Sequence, residues 1–97
     1  MYLVVSVWEA LPGKADAFRE NGMKLGSQLK QQPGVKLLEV FESGGKFVSV
    51  HGYADEATYQ RLVQDPNGPF AKALAESRVE EYARWLSSEK GETVPIP

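Results

Sequence analysis

The chain has 97 residues, a formal net charge of −2, 42% apolar residues and no cysteine. That is the size of one small domain. The charge leaves no basic footprint for nucleic acid or an anionic membrane, and the missing thiols exclude disulfides, thiolate metal sites and a cysteine nucleophile. A single histidine further weakens any zinc or haem proposal, so no metal site is expected. The opening MYLVVSVWEA has no basic leader and meets Glu9 early, unlike a signal peptide. No apolar run is long enough to span a bilayer, and a cytoplasmic protein is expected.

Residues 2–9, YLVVSVWE, are β-branched and aromatic and predict a strand. Tyr2, Val4, Ser6 and Trp8 alternate with Leu3, Val5, Val7 and Glu9. Both rows are largely apolar, so both faces are expected to be covered. Pro12 and Gly13 turn the chain into a helix from about Lys14 to Gln32. Phe18, Gly22, Leu25 and Leu29 form its inward stripe. Two helical glycines, Gly22 and Gly26, cost about 1 kcal/mol each against alanine, and close packing of the helix on a sheet is the expected reason for Gly22.

Residues 35–43 and 47–54 predict two strands joined by the SGGK turn, an antiparallel hairpin whose Gly-Gly pair suits positive φ. Asp55 then caps the helical segment DEATYQRLVQ, with Tyr59, Leu62 and Val63 inward. DPNGP is a turn, and PFAKALAE starts a further helix through Phe70, Ala73 and Leu74. The stripe Val79, Tyr82, Ala83, Leu86 lies on the opposite side of a continued helix, so a strand from about Val79 to Ser87 is expected instead. The order β-α-β-β-α-β is that of a ferredoxin-like α+β fold with a four-stranded antiparallel sheet over residues 1–87. Residues 88–97 are expected to be an irregular tail, with Val94 and Ile96 against a neighbour. Two helical segments cannot hide Val4, Trp8, Leu38, Val40, Phe47 and Trp85 together, so a homodimer through sheet faces is expected.

The opening strand followed by LPGKADAF, the PGV before the second strand, the SGGKF hairpin and the YADEATYQRLV helix start resemble the antibiotic biosynthesis monooxygenase family of the dimeric α+β barrel superfamily, over about residues 1–86. The resemblance implies a dimeric barrel and, for some members, oxygenation of aromatic quinol-type molecules without metal or flavin. The haem-degrading relatives carry an Asn where this chain has Ser6, a Trp where it has Tyr53, and a haem-ligating His where it has Leu74. Haem degradation is therefore disfavoured. The quinol-oxidising relatives often carry histidines after the third strand, and TYQRLVQDPNGPF has none.

Cofactor-free oxygenation needs an apolar slot for a flat aromatic, a base and an oxyanion partner. His51 and Tyr53 are the candidate catalytic residues, His51 as the base. Ser6, Trp8, Tyr59, Phe70 and Arg84 are the candidate substrate-binding residues, Arg84 as the anion partner. Each has a plainer reading: His51 as a hydrogen-bonded sheet residue, Trp8 and Trp85 as packing anchors, Arg84 as the partner of a strand carboxylate. Ser6 and Trp8 share one strand face, and Phe47, Ser49, His51 and Tyr53 share another. Whether the two rows look the same way depends on register, which the sequence leaves open. A non-catalytic ligand-binding or structural dimer of the same fold is the alternative function.

Overall fold

The computed structural model describes all residues from Met1 to Pro97. Four strands, β1 (Tyr2–Ala10), β2 (Val35–Ser43), β3 (Lys46–Tyr53) and β4 (Ala83–Glu92), form one antiparallel sheet in the order β2-β3-β1-β4. One helix, α1 (Ala15–Lys30), links β1 to β2. A broken helical stretch links β3 to β4: α2 (Glu56–Tyr59), a π turn over Gln60–Gln64, and α3 (Pro69–Ser77). This is the ferredoxin-like α+β arrangement, with the helices on one face of the sheet.

Local chemistry sets the element ends. The β2–β3 hairpin turns at Gly44 and Gly45, both at positive φ (57° and 80°), as a two-residue turn of the hand that suits twisted strands requires. Asp55 caps α2 by accepting from the Thr58 backbone N–H at 2.8 Å and from its hydroxyl at 2.7 Å. Helix α3 stops where Arg78 takes a left-handed conformation (φ 55°). That break reverses the buried side, so Val79 and Tyr82 pack inward after the helix has ended.

Two expectations change in this region. Val79–Glu81 forms a single 3₁₀ turn rather than strand, and β4 begins at Ala83. It then continues to Glu92, so the irregular tail starts at Thr93 and not at residue 88. The polar run SSEKGE joins the sheet because its backbone pairs with β1, Ser88 opposite Ser6 and Glu92 opposite Tyr2. β4 is an edge strand, where polar side chains are tolerated. A bulge between Val7 and Trp8 lets Leu86 drop out of the ladder, and Trp85 pairs with Trp8 while remaining 56% exposed.

The core divides into two clusters. One gathers Tyr2, Val4, Leu29, Tyr53, Tyr59 and Leu62. The other gathers Val79, Tyr82 and Ala83, with Trp8, Phe18 and Leu74 packed on it. Helix α1 spans both, pinned by Phe18 near one end and Leu29 near the other. Those residues are eleven apart, or about 16 Å along a helix. The Phe18 ring stands edge-on to Phe47 at 4.8 Å between centroids and lies 5.9 Å from Trp8. Such pairs add to the burial energy of the rings.

Gly22 falls between the two pins, and a Cβ built there meets nothing within 4 Å. The expected close approach of helix and sheet at Gly22 is therefore corrected: the helix stands off the sheet at that point. Gly26 lies nearer, with a Leu38 methyl 3.5 Å from its built Cβ, an ordinary contact. Close approach does govern Gly68, which is buried after the π turn. A Cβ there would strike the carbonyl oxygens of Arg61, Leu62 (2.9 Å) and Asp65 (3.0 Å).

The two glycines thus predict opposite outcomes in thermal or urea unfolding. Gly68→Ala should destabilise by about 2 kcal/mol or more, since backbone must move. Gly22→Ala should stabilise by up to about 1 kcal/mol through helix propensity alone.

Candidate functional site

The register settles which rows look the same way. In the β1–β3 ladder Val4 lies opposite His51, Ser6 opposite Ser49 and Trp8 opposite Phe47. Directly opposed residues share a face, so the row Tyr2, Val4, Ser6, Trp8 and the row Phe47, Ser49, His51, Tyr53 both point under the helices. On β2, Leu38 lies opposite His51 and Val40 opposite Ser49, on the same side. Above this surface, under the middle of α1, is a mostly apolar cavity of about 690 Å³. Its floor includes Ser6, Trp8, Phe47, Ser49 and His51. Its roof includes Gly22, Met23, Leu25 and Gly26 of α1, and Tyr59, Val63, Phe70 and Leu74 close one side. A volume of this size suits a small aromatic molecule.

Five of the seven residues expected at a site from the sequence, Ser6, Trp8, His51, Tyr59 and Phe70, meet at this cavity. Tyr53 stands behind it. Its side chain is fully buried, and its hydroxyl lies 2.7 Å from His51 Nδ1. Arg84 is elsewhere. It projects from β4 beside Glu9, 3.0 Å from that carboxylate, on the sheet face away from the helices. The expected role of Arg84 as an anion partner is corrected on that ground: the bulge in β4 leaves Arg84 opposite Glu9, on the wrong side of the sheet. The pair is exposed, and such pairs contribute little to stability.

Two cations of α1 line the cavity, Arg19 and Lys30, and the sequence reading missed both. Arg19 is the one held in place by carboxylates. Its guanidinium makes two hydrogen bonds to Glu42 (2.8 and 2.9 Å) and one to Asp16 (2.7 Å), and lies 5.6 Å from the Phe47 ring centre. The Glu42 hydrogen bonds raise the Arg19 pKa, and the Arg19 hydrogen bond draws the Glu42 carboxyl below its usual range. The available sequence signal was position: Arg19 follows Phe18, the residue that pins α1 to the sheet. No three His, Cys, Asp or Glu side chains gather anywhere in the chain as a metal site would require. The polar groups lining the cavity are His51, the Ser6, Ser27, Ser49 and Tyr59 hydroxyls, Lys30, and the Arg19–Glu42 pair.

His51 is 8% exposed and sits between Val4 and Leu38. Burial lowers its pKa to about 4, and no charged neighbour opposes that shift. The imidazole is neutral at pH 7. Burial also raises the Tyr53 phenol well above its ordinary range, with the Tyr59 phenol adding to the effect. Tyr59 is raised chiefly by burial, then by Tyr2.

No protein-family model matches the chain, and no curated protein is similar to it in sequence at a significant level. Solved structures are similar in fold. An antibiotic biosynthesis monooxygenase superposes with a TM-score of 0.77 at 17% identity, over 98% of this chain and 100% of its own. Rv0793 from Mycobacterium tuberculosis gives 0.80 at 16%, over 98% and 96%. SnoaB from Streptomyces nogalater, a cofactor-independent oxygenase, gives 0.74 at 15%, over 98% and 94%. The chain has the fold of the antibiotic biosynthesis monooxygenase structures, as the resemblance read from its sequence implied.

The lowered His51 pKa has a consequence for stability. The unfolded chain binds a proton at His51 near pH 6.5, while the folded chain resists it down to about pH 4. Stability from this group is complete above pH 6.5, falls as the pH drops from 6.5 to 4, and is level below that. The loss over that window is about 3 kcal/mol. Urea unfolding of the wild type and His51→Leu across this range should show the wild type losing that amount of stability relative to the variant toward pH 4, independently of the carboxylates common to both.

Proposed function

We propose that the chain is a cofactor-independent oxygenase that holds an electron-rich phenol or quinol in the cavity under α1. The observation that carries this reading is the apolar cavity of about 690 Å³ with one buried, neutral imidazole in its sheet wall. The resemblance in fold to SnoaB supports the same class of chemistry. An aromatic ring slides between the Trp8–Phe47 end and the Tyr59–Phe70 side. Ser6 and Ser49 are the hydroxyls nearest the middle of the floor, where they orient a ring substituent.

The chemistry runs through the ligand itself. Loss of the phenolic proton makes the ring electron-rich enough to reduce dioxygen. A carbon–oxygen bond forms at a hydrogen-bearing ring carbon opposite or beside the phenolate carbon, giving a peroxide. The O–O bond then breaks with loss of water, leaving a quinone. One oxygen atom of dioxygen becomes the new carbonyl. The other leaves as water, with the hydrogens lost from the hydroxyl and the ring carbon. The protein supplies a dry slot, orientation, and stabilisation of the phenolate oxygen.

Two copies close over each other through the sheet face away from the helices. Leu3, Val5, Val7, Leu37, Phe41, Val48 and Val50 alternate onto that face, and Phe41 is 53% exposed in the single chain. Glu39, opposite Val50, is the charged residue among them, and a largely apolar sheet face favours being covered. Pairing by a two-fold axis covers it with an identical surface, leaving both cavities on the outside. No helix is long and apolar enough to cross a membrane.

Two measurements test these readings. Oxygen uptake with naphthols and anthrones should proceed without added metal or flavin, and His51→Leu should slow it roughly a hundredfold. Binding of these molecules without oxygen uptake would instead mark a ligand-binding protein of the same fold. Sedimentation should give a dimer at micromolar concentration, and Val48→Asp, which places a charge amid the apolar face, should give a folded monomer.

A further inference from the structure

The oxygenase reading makes two demands, removal of a proton and stabilisation of the oxygen left behind, and the Tyr53–His51 contact distinguishes between them. Tyr53 is fully buried, and the one hydrogen-bonding partner of its hydroxyl is His51 Nδ1, at 2.7 Å. If Nδ1 carried the proton and donated it to the tyrosine oxygen, the phenolic O–H would be a donor with no acceptor and no access to water. Proteins avoid buried unpaired donors. No fully buried side-chain nitrogen or oxygen in this chain lacks a partner. The hydroxyl therefore donates to Nδ1, which places the imidazole hydrogen on Nε2. Nε2 makes no hydrogen bond within the chain, yet is not a fully buried orphan, so it opens to the cavity that His51 lines.

We propose that His51 presents a neutral Nε2–H donor to the cavity, that Tyr53 is the positioning residue that fixes this tautomer, and that the site selects ligands carrying a carbonyl or phenolate oxygen. The inference rests on the reading of the cavity as a ligand site and deepens it. His51 is then the oxyanion partner that the sequence assigned to Arg84, and not the base. Nε2 already holds a hydrogen and cannot accept the phenolic proton. The ligand enters as the phenolate, having lost its proton to base in bulk solvent, and the Nε2–H donor holds that oxygen. A neutral imidazole suits this role because burial lowers its pKa and no carboxylate lies beside it to favour the charged form.

The chain has a single histidine, so its imidazole nitrogens are the only ones in a spectrum. Long-range ¹⁵N–¹H correlation of the wild type at pH 7 should show the Nε2–H tautomer, and Tyr53→Phe should shift it toward a mixture. Anaerobic binding should favour 1,4-naphthoquinone over naphthalene by about tenfold. His51→Gln, which keeps an N–H donor, should retain most of that preference, whereas His51→Leu should lose it. An Nδ1–H tautomer or an imidazolium in the wild type overturns the proposal. So does equal binding of the two probes, or binding of neither. A preserved tautomer and quinone preference without oxygen uptake leaves this inference standing and removes the oxygenase reading instead.

Discussion

Across the β1–β3 ladder Val4 meets His51, Ser6 meets Ser49 and Trp8 meets Phe47. Side chains alternate with period two, so a slip of one residue would turn His51 and Tyr53 to the face away from the helices. The register is held from both sides. Tyr2, Val4 and Tyr53 fill the core under Leu29 and Leu62, while Val5, Val7, Val48 and Val50 form an apolar row on the reverse. The tight Gly44–Gly45 turn fixes β2 against β3 in the same way. The location of the candidate site is a consequence of this pairing, and no loop is needed to build it.

The cavity has a separate origin. A helix that packs evenly along a sheet leaves no room for a ligand. Here α1 is held at two places, by Phe18 against Trp8 and Phe47 and by Leu29 in the other cluster. Between them Gly22 contributes no side chain to fill the gap. Helix propensity argues against glycine there by about 1 kcal/mol, and an unfilled cavity also costs stability. Both costs fall on the part of the molecule that faces His51. The π turn at Gln60–Gln64 adds to the design, since it buries Leu62 completely while directing Val63 and, after Gly68, Phe70 to the cavity. π turns recur at functional sites for this kind of repositioning.

Strand alternation, the Gly-Gly hairpin and the Asp55 cap are local signals, and each appears in the structure where the sequence placed it. The break before β4 was legible because Phe70 and Val79 could not share one buried face of a helix. Its means, a left-handed Arg78, was not, since that conformation favours glycine or asparagine. The far end of β4 was misread because SSEKGE has no apolar alternation and is strand only through its pairing with β1. At the site, His51, Ser6 and Trp8 were visible as types, but their meeting depended on a register no single sequence prints. Arg84 was misplaced by a one-residue bulge. Arg19 was overlooked because its place beside Phe18 puts it near the sheet, but only the fold shows that it reaches the Glu42 carboxylate.

The helix-facing side of β1 and β3 forms the floor of an open cavity rather than a closed core. Whether that cavity holds a ligand can be seen in a crystal of the protein soaked anaerobically with 1-naphthol. Ring density should appear between Gly22 and Ser49, with the naphthol oxygen within hydrogen-bonding distance of His51 Nε2. Helix α1 settled onto the sheet with no space beneath it, or naphthol density only at the molecular surface, would contradict it.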